Sequence, residues 1–188
     1  MIFFMTNSSA NVQIIDLPAL TVAGLGADFI SAMAKGSNAF TVLPKLWGEV
    51  SAIVSQVQLA IGSPSDSKSW MVGAMGEPEL PAYADPQDEV EGLLNYFAGI
   101  RVDSLAPEQV QAFVGAGLQL RDYAAGRFAA CEHVGPLDGL GATTAWFYQT
   151  WLPAEGPVQR YAHHYEIYDE RFDMVSPSSV VMICAPVV

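Results

Sequence analysis

The sequence is poor in metal-ligating and cross-linking residues. It contains two cysteines, Cys131 and Cys184, and each lies in an apolar, strand-like run. A disulfide framework or a metal site needs a denser cluster with ligand spacing, and His133, His163 and His164 do not supply that spacing. We therefore expect both cysteines to be reduced and buried, and we predict no metal site.

Basic residues are also scarce. Eight lysines and arginines stand against 20 acidic residues, which gives a formal net charge of −12. This charge repels phosphate groups, so no direct nucleic-acid partner is expected. The same field concentrates organic cations near any cleft, although such acidity also serves solubility alone.

Long hydrophobic runs are absent as well. The opening segment 1–5 is too short for the apolar region of a signal peptide, and no run approaches the roughly 20 residues that cross a bilayer. We expect a cytoplasmic protein without a membrane partner. Gly24 and Gly26 lack the further glycines and the lysine of a phosphate loop, and no cofactor is predicted.

What the sequence does contain is enough apolar material for a sizeable core, since 51% of its 188 residues are hydrophobic. Periodicity and turn signals predict a repeated order of strand, helix, strand, strand. The predicted strands are 12–26, 70–75, 93–102, 126–134, 163–169 and 179–188, and the helices begin at Pro44 and Asp138 and end at Ile61 and Trp151.

This repeat predicts an α+β fold in one domain spanning residues 1–188. Its halves are about 12–102 and 115–188, and a connector with a weak helical signal covers about 103–114. Pairing the halves about a pseudo-two-fold axis gives one antiparallel sheet system flanked by two main helices. A ligand groove is expected at their junction.

Four segments of the second half carry a family resemblance. They are Gly126 to Pro136 (GRFAACEHVGP), Trp146 to Pro153 (WFYQTWLP), Tyr165 to Tyr168 (YEIY) and the closing Val180 to Val187. In order and spacing they resemble the gyrase-inhibitor-like (GyrI-like) effector-binding family over about 60 residues. The first half matches more loosely, and its segments at 29–40 and 76–92 look like extra loops.

The resemblance implies a tandem strand-helix-strand-strand fold that binds hydrophobic, often cationic small molecules in a central groove. Members of the family include C-terminal sensor domains of transcription regulators, multidrug-binding proteins and stand-alone proteins, some of which resemble hydrolases of cyclopropane-bearing genotoxins. This chain resembles the stand-alone type. The sequence predicts no oligomeric state.

Glu166 is the principal candidate site residue. Alternation along its strand puts it on one face with His164, Tyr168 and Glu170, and that pattern by itself turns the polar face toward water. The family instead places the glutamate of its Glu-x-Tyr strand in the groove, and the resemblance therefore favours Glu166 and Tyr168 as ligand-binding residues.

Aromatic side chains are the second expected component, because ring faces bind flat apolar ligands and cations. The candidates on groove-flanking elements are Trp47, Tyr96, Phe97, Trp146, Phe147, Tyr148 and Trp151, with ordinary core packing as the alternative for each. From these we select Tyr96, Trp146, Trp47 and Phe147 as ligand-binding residues.

Three functional hypotheses result. The first is a binding protein that captures hydrophobic or cationic organic molecules, for drug or toxin sensing or sequestration. The second is a hydrolase that opens electrophilic rings, with Glu166 as general base and Tyr168 donating a proton. The third is a module that binds and inhibits a protein partner. The sequence favours a binding protein over an enzyme.

Overall fold

The computed structural model describes residues 11–61, 70–77, 91–155 and 163–188. The first half of the chain contains β1 (Val12–Leu17), β2 (Leu20–Ile30), α1 (Ala39–Ile61), β3 (Met71–Gly76) and β4 (Leu93–Arg101). After α2 (Pro107–Gly115) follow β5 (Gln119–Tyr123), β6 (Gly126–Val134), α3 (Leu140–Trp146), α4 (Leu152–Glu155), β7 (His164–Tyr168) and β8 (Val180–Pro186). A 3-10 turn, Leu137–Gly139, precedes α3, and a π-helical turn, Phe147–Trp151, joins α3 to α4.

The described strands form one eight-stranded antiparallel sheet in the order β1-β6-β8-β7-β3-β4-β2-β5. The units β2-α1-β3-β4 and β6-α3-β7-β8 occupy mirrored positions, and β3 and β7 meet at the centre. This confirms the predicted α+β fold with its tandem repeat. None of the described helices is both long and apolar enough to span a membrane.

Two short connections, from β1 to β2 and from β5 to β6, join strands that lie far apart in the sheet order and force the sheet to curl. β1 and β2 are first and seventh in the sheet order, yet only Pro18 and Ala19 join them. In a flat sheet those strands would lie roughly 29 Å apart, whereas a two-residue link spans at most about 11 Å. The rings of Tyr123 on β5 and Tyr165 on β7 are accordingly 5.6 Å apart, although three strands separate them in the order.

Curling encloses one face of the sheet as an inner cluster that needs no helical cover. Its buried members come from every strand and are Leu17, Leu20, Val22, Val72, Ala74, Phe97, Tyr123, Phe128, Ala130, Tyr165, Ile167 and Cys184. The other face carries the helices. Leu46 and Val50 of α1 pack over β2 and β4, while Phe147 and Leu152 pack over β6 and β8. The central strands β3 and β7 lie between these two helical layers and form the floor of a groove.

Several boundaries differ from the prediction. The expected strand 12–26 is two strands, β1 and β2, which lie far apart in the sheet order. The chain crosses from one to the other at Pro18. Helix α1 begins at Ala39 instead of Pro44, because the backbone carbonyl of Asn38 already accepts from Thr41 and Val42. The sequence did not predict β5, and the connector helix is α2. Of the two expected extra loops, 78–90 lies outside the described residues, and 31–38 links β2 to α1.

The second predicted helix also continues past its expected end. Pro153 lacks an N–H and its ring crowds the carbonyl four residues earlier, so it cannot continue a regular α-helix. The chain widens into the π-helical turn instead, in which the N–H of Leu152 reaches the carbonyl of Phe147. That extra residue per turn lets α4 follow directly, where the sequence predicted a stop at Trp151.

Phe147 should anchor the second helical layer to the sheet. It is fully buried against Ala129, Ile183 and their neighbours. Truncation to alanine is expected to lower the free energy of unfolding by about 3–5 kcal/mol, through lost burial and a cavity. Phe40 is 81% exposed, so Phe40→Ala is the matched control, with a change within about 0.5 kcal/mol. Equal losses in urea unfolding of the two variants would contradict this packing.

Candidate functional site

The centre of the groove is the carboxylate of Glu166 on β7. Register places Glu166 opposite Gly73 of β3 and Ile183 of β8, on the helix-bearing side of the sheet. Two phenols donate to the same oxygen: Tyr96 Oη lies 2.6 Å and Tyr168 Oη 2.9 Å from Glu166 Oε2. The residue as a whole is half-buried.

Gly73 makes this arrangement possible. Tyr96 stands on β4, and its ring must cross β3 to reach β7. It crosses above Gly73, where an added Cβ would overlap the Tyr96 hydroxyl and ring. Because Tyr96 is fully buried, its ring has no free space into which it could move.

Trp47 of α1 forms the wall on the first helical layer. Its Nε1–H donates to Tyr96 Oη at 3.3 Å, so the chain of hydrogen bonds runs from Trp47 through Tyr96 to Glu166. Its ring also meets that of Tyr168 nearly at right angles, with 5.4 Å between centroids. The three aromatic side chains therefore brace one another around the carboxylate.

The electrostatics of this group are set by burial. Burial raises the pKa of Glu166, and the hydrogen bonds from Tyr96 and Tyr168 partly oppose that rise. Burial and the charge of Glu166 raise the pKa of both tyrosines well above the ordinary value, so the phenols remain protonated donors at neutral pH. Among the described residues no lysine, arginine or histidine forms an ion pair with Glu166.

A polar pair lies on the side of the second helical layer. His164 shares the face of Glu166 on β7, and its Nδ1 is 3.0 Å from the hydroxyl of Tyr148 in the π-helical turn. Burial, with a smaller effect of the charge of His163, lowers the pKa of His164 to about 4. Burial raises the pKa of Tyr148, so both groups are neutral at pH 7.

The structure brings four of the six selected residues together: Glu166, Tyr168, Tyr96 and Trp47 form one connected set of contacts. The other two pack in or against the core cluster of the second helical layer. Phe147 is fully buried beneath Tyr148, with 5.2 Å between their ring centroids. Trp146 is half-buried against the same core cluster.

His164 and Tyr148 were not selected from the sequence as site residues. Alternation already put His164 on the face of Glu166, and that signal could have identified it. Tyr148 was among the aromatic candidates on the second helix, but no signal in the sequence separated it from its neighbours there.

The two cysteines and His133 make no contact with the hydrogen-bonded groups around Glu166 in the described structure. Cys131 and Cys184 are buried on neighbouring strands, and desolvation raises the pKa of their thiols to about 11 and about 12. His133 hydrogen-bonds Thr143 and the carbonyl of Pro136, which ties β6 to the start of α3. Within the described ranges, no three His, Cys, Asp or Glu side chains are grouped as a metal site would require.

Comparison with solved structures supports the same architecture. The protein SAV2435, solved with tetraphenylphosphonium bound, is 14% identical, with a TM-score of 0.62 over 95% of this chain and 94% of that one. A hydrolase from Listeria innocua, encoded by lin2189, is 14% identical, with a TM-score of 0.53 over 94% of this chain and 91% of that one.

EcmrR, solved in a complex with DNA, is 15% identical, with a TM-score of 0.58. The match covers 95% of this chain and 57% of EcmrR. At such identities these likenesses establish the fold alone. No curated protein matches this chain in sequence.

A family model provides the stronger evidence. The model of the GyrI-like small molecule binding domain matches residues 10–188, which includes both strand-helix-strand-strand units and the groove between them. With nearly its whole length matched, this chain belongs to the GyrI-like family of small-molecule binding domains.

Proposed function

We propose that the groove captures hydrophobic organic cations and that Glu166 is their counter-charge. The observation that carries the proposal is the carboxylate of Glu166, which is hydrogen-bonded to two phenols, has its pKa raised by burial and has no cationic partner among the described residues. A ligand cation would supply the missing opposite charge. The resulting role is sensing or sequestration of drug-like or toxic cations.

The aromatic walls support a cation over a neutral or anionic ligand. Trp47, Tyr168 and Phe172 lie edge to face in a continuous row, since Tyr168 contacts both of the others. Such rings attract a cation through their quadrupoles and bury its apolar substituents. The net charge of −12 adds a field that draws cations and repels anions. The similarly folded SAV2435 was solved with a lipophilic cation, tetraphenylphosphonium.

Capture follows from the raised pKa of Glu166. In the empty groove, burial favours the neutral form of the carboxyl group, and the two phenols compensate in part when it ionises. A bound cation favours the ionised form and excludes water from the groove, which strengthens the attraction. The phenols hold the carboxylate in place throughout, so little reorganisation is needed.

Hydrolysis with Glu166 as general base is the second candidate. Both phenols donate to Oε2, and Oε1 accepts no hydrogen bond from the described part of the chain. That oxygen could accept a proton from water, and the raised pKa would make it a stronger base. Turnover of a cyclopropane-bearing alkylator by the wild type but not by Glu166→Gln would favour this candidate over simple capture.

Charge removal at Glu166 gives the direct test of capture. We expect Glu166→Gln to weaken tetraphenylphosphonium binding by about 10- to 100-fold, because the cation loses its partner in a desolvated site. Binding of neutral triphenylphosphine oxide should change less than about threefold. Glu108→Gln on exposed α2 is the matched control, since it alters net charge equally at a distance from the groove. Equal losses by calorimetry in both variants would refute the proposal.

Glu166→Gln should weaken cation binding but raise the stability of the fold. A carboxyl group whose pKa is raised on folding contributes stability at low pH, and that contribution is lost as pH rises through the raised pKa. Glu166→Gln should therefore have a higher free energy of unfolding than the wild type at pH 7, and the difference should shrink toward acid pH. Comparing the two proteins by urea unfolding cancels the opposing titration of His164, whose pKa is lowered. A less stable glutamine variant at pH 7 would contradict the account.

A further inference from the structure

Tyr148 and His164 form the one polar pair in the described groove that the capture of a simple cation does not use. His164 lies two residues before Glu166 on the same face of β7, and Tyr148 reaches it from the π-helical turn. Alternate residues on one face of a strand are separated by about 7 Å along the strand. The pair and the carboxylate are therefore two separate polar sites in one groove.

The backbone holds the pair in place. Phe147 is buried against the sheet, while Tyr148, the next residue of the π-helical turn, stays half-buried and reaches His164. Phe147 supports the Tyr148 ring from below and also stacks on Trp151. Single π-helical turns inside helices are frequently found at functional sites.

The pair also has unused hydrogen-bonding capacity. The bond to Tyr148 uses His164 Nδ1, and Nε2 has no hydrogen-bond partner among the described residues. His164 and its neighbour on β3, Met75, are both half-buried, so neither residue is sealed in the core. One ring nitrogen of a neutral imidazole donates and the other accepts, and which one does so depends on the tautomer.

We infer that the Tyr148–His164 pair is a second subsite, which selects organic cations carrying a hydroxyl or similar neutral hydrogen-bonding group about 7 Å from the positive centre. The inference rests on the proposed role of Glu166 as the cation partner. A hydroxyl suits either tautomer of His164, because it both donates and accepts. The lowered pKa of His164 keeps a second positive charge out of the groove.

The expected preference is moderate. A cation without the polar group leaves the Tyr148–His164 hydrogen bond intact, so it suffers no penalty. A cation with the group gains one hydrogen bond in a partly desolvated site, which corresponds to a preference of about 3- to 10-fold.

Two cations of nearly equal shape test this inference: (4-hydroxyphenyl)triphenylphosphonium and (4-methylphenyl)triphenylphosphonium. Each places its para substituent one ring away from the phosphorus. Calorimetry on the wild type should give the hydroxyl compound the 3- to 10-fold advantage. His164→Phe should reduce the ratio to about one while leaving the affinity for the methyl compound within about threefold.

Matched variants complete the design. His163→Phe makes the same change at the preceding residue, whose ring contacts Tyr123 of the inner cluster. This variant should keep the preference for the hydroxyl compound. Tyr148→Phe retains the ring and removes only the hydroxyl, so it reports on the pair if His164→Phe does not fold, and it should lower the preference.

The outcomes separate the inference from the proposed function. Tight, Glu166-dependent binding of both cations with equal affinity in the wild type, or a preference that survives in His164→Phe and Tyr148→Phe, would overturn the subsite alone. If neither cation binds the wild type, or if both bind equally well to Glu166→Gln, the proposed function fails and the subsite with it.

Discussion

A carboxylate held in a desolvated groove by two tyrosine hydroxyls is the interaction on which the site depends. Removal of Glu166 from water favours its neutral form, and the donors Tyr96 and Tyr168 offset only part of that cost. The carboxylate therefore has no compensating positive charge among the described residues. In the proposed function, a bound cation supplies the opposite charge, so that this cost in stability is converted into affinity, as is common at functional sites.

The curled sheet makes such a groove possible. Because the edge strands fold back, the inner face is packed by its own side chains, and the helices are free to cover the outer sides of the opposite face. The central strands β3 and β7 remain between the helical layers. Gly73 then admits the Tyr96 ring across β3, so residues from β4, β7 and α1 meet at one carboxylate.

The sequence predicted the fold through its repeated element order and located Glu166 through the family resemblance. Alternation alone placed Glu166 on the same strand face as His164 and Tyr168, but it predicted that this face is exposed to water. A period of two residues does not show which element covers a face of the strand. Local patterns also missed β5 and the continuation through Pro153, since the first depends on long-range pairing and the second on a π-helical turn. Phe147 and Trp146 lie on the predicted helix, but their depth depends on packing against β6 and β8.

Proton release on ligand binding tests the central claim most directly. If a cation ionises Glu166, titration with tetraphenylphosphonium in two buffers of different ionisation enthalpy, over a pH range that rises from the ordinary carboxyl pKa to neutrality, should reveal a released fraction of one proton. The release should vanish in Glu166→Gln. Binding by the wild type with no proton released anywhere in that range, or with the same release in Glu166→Gln, would contradict the account.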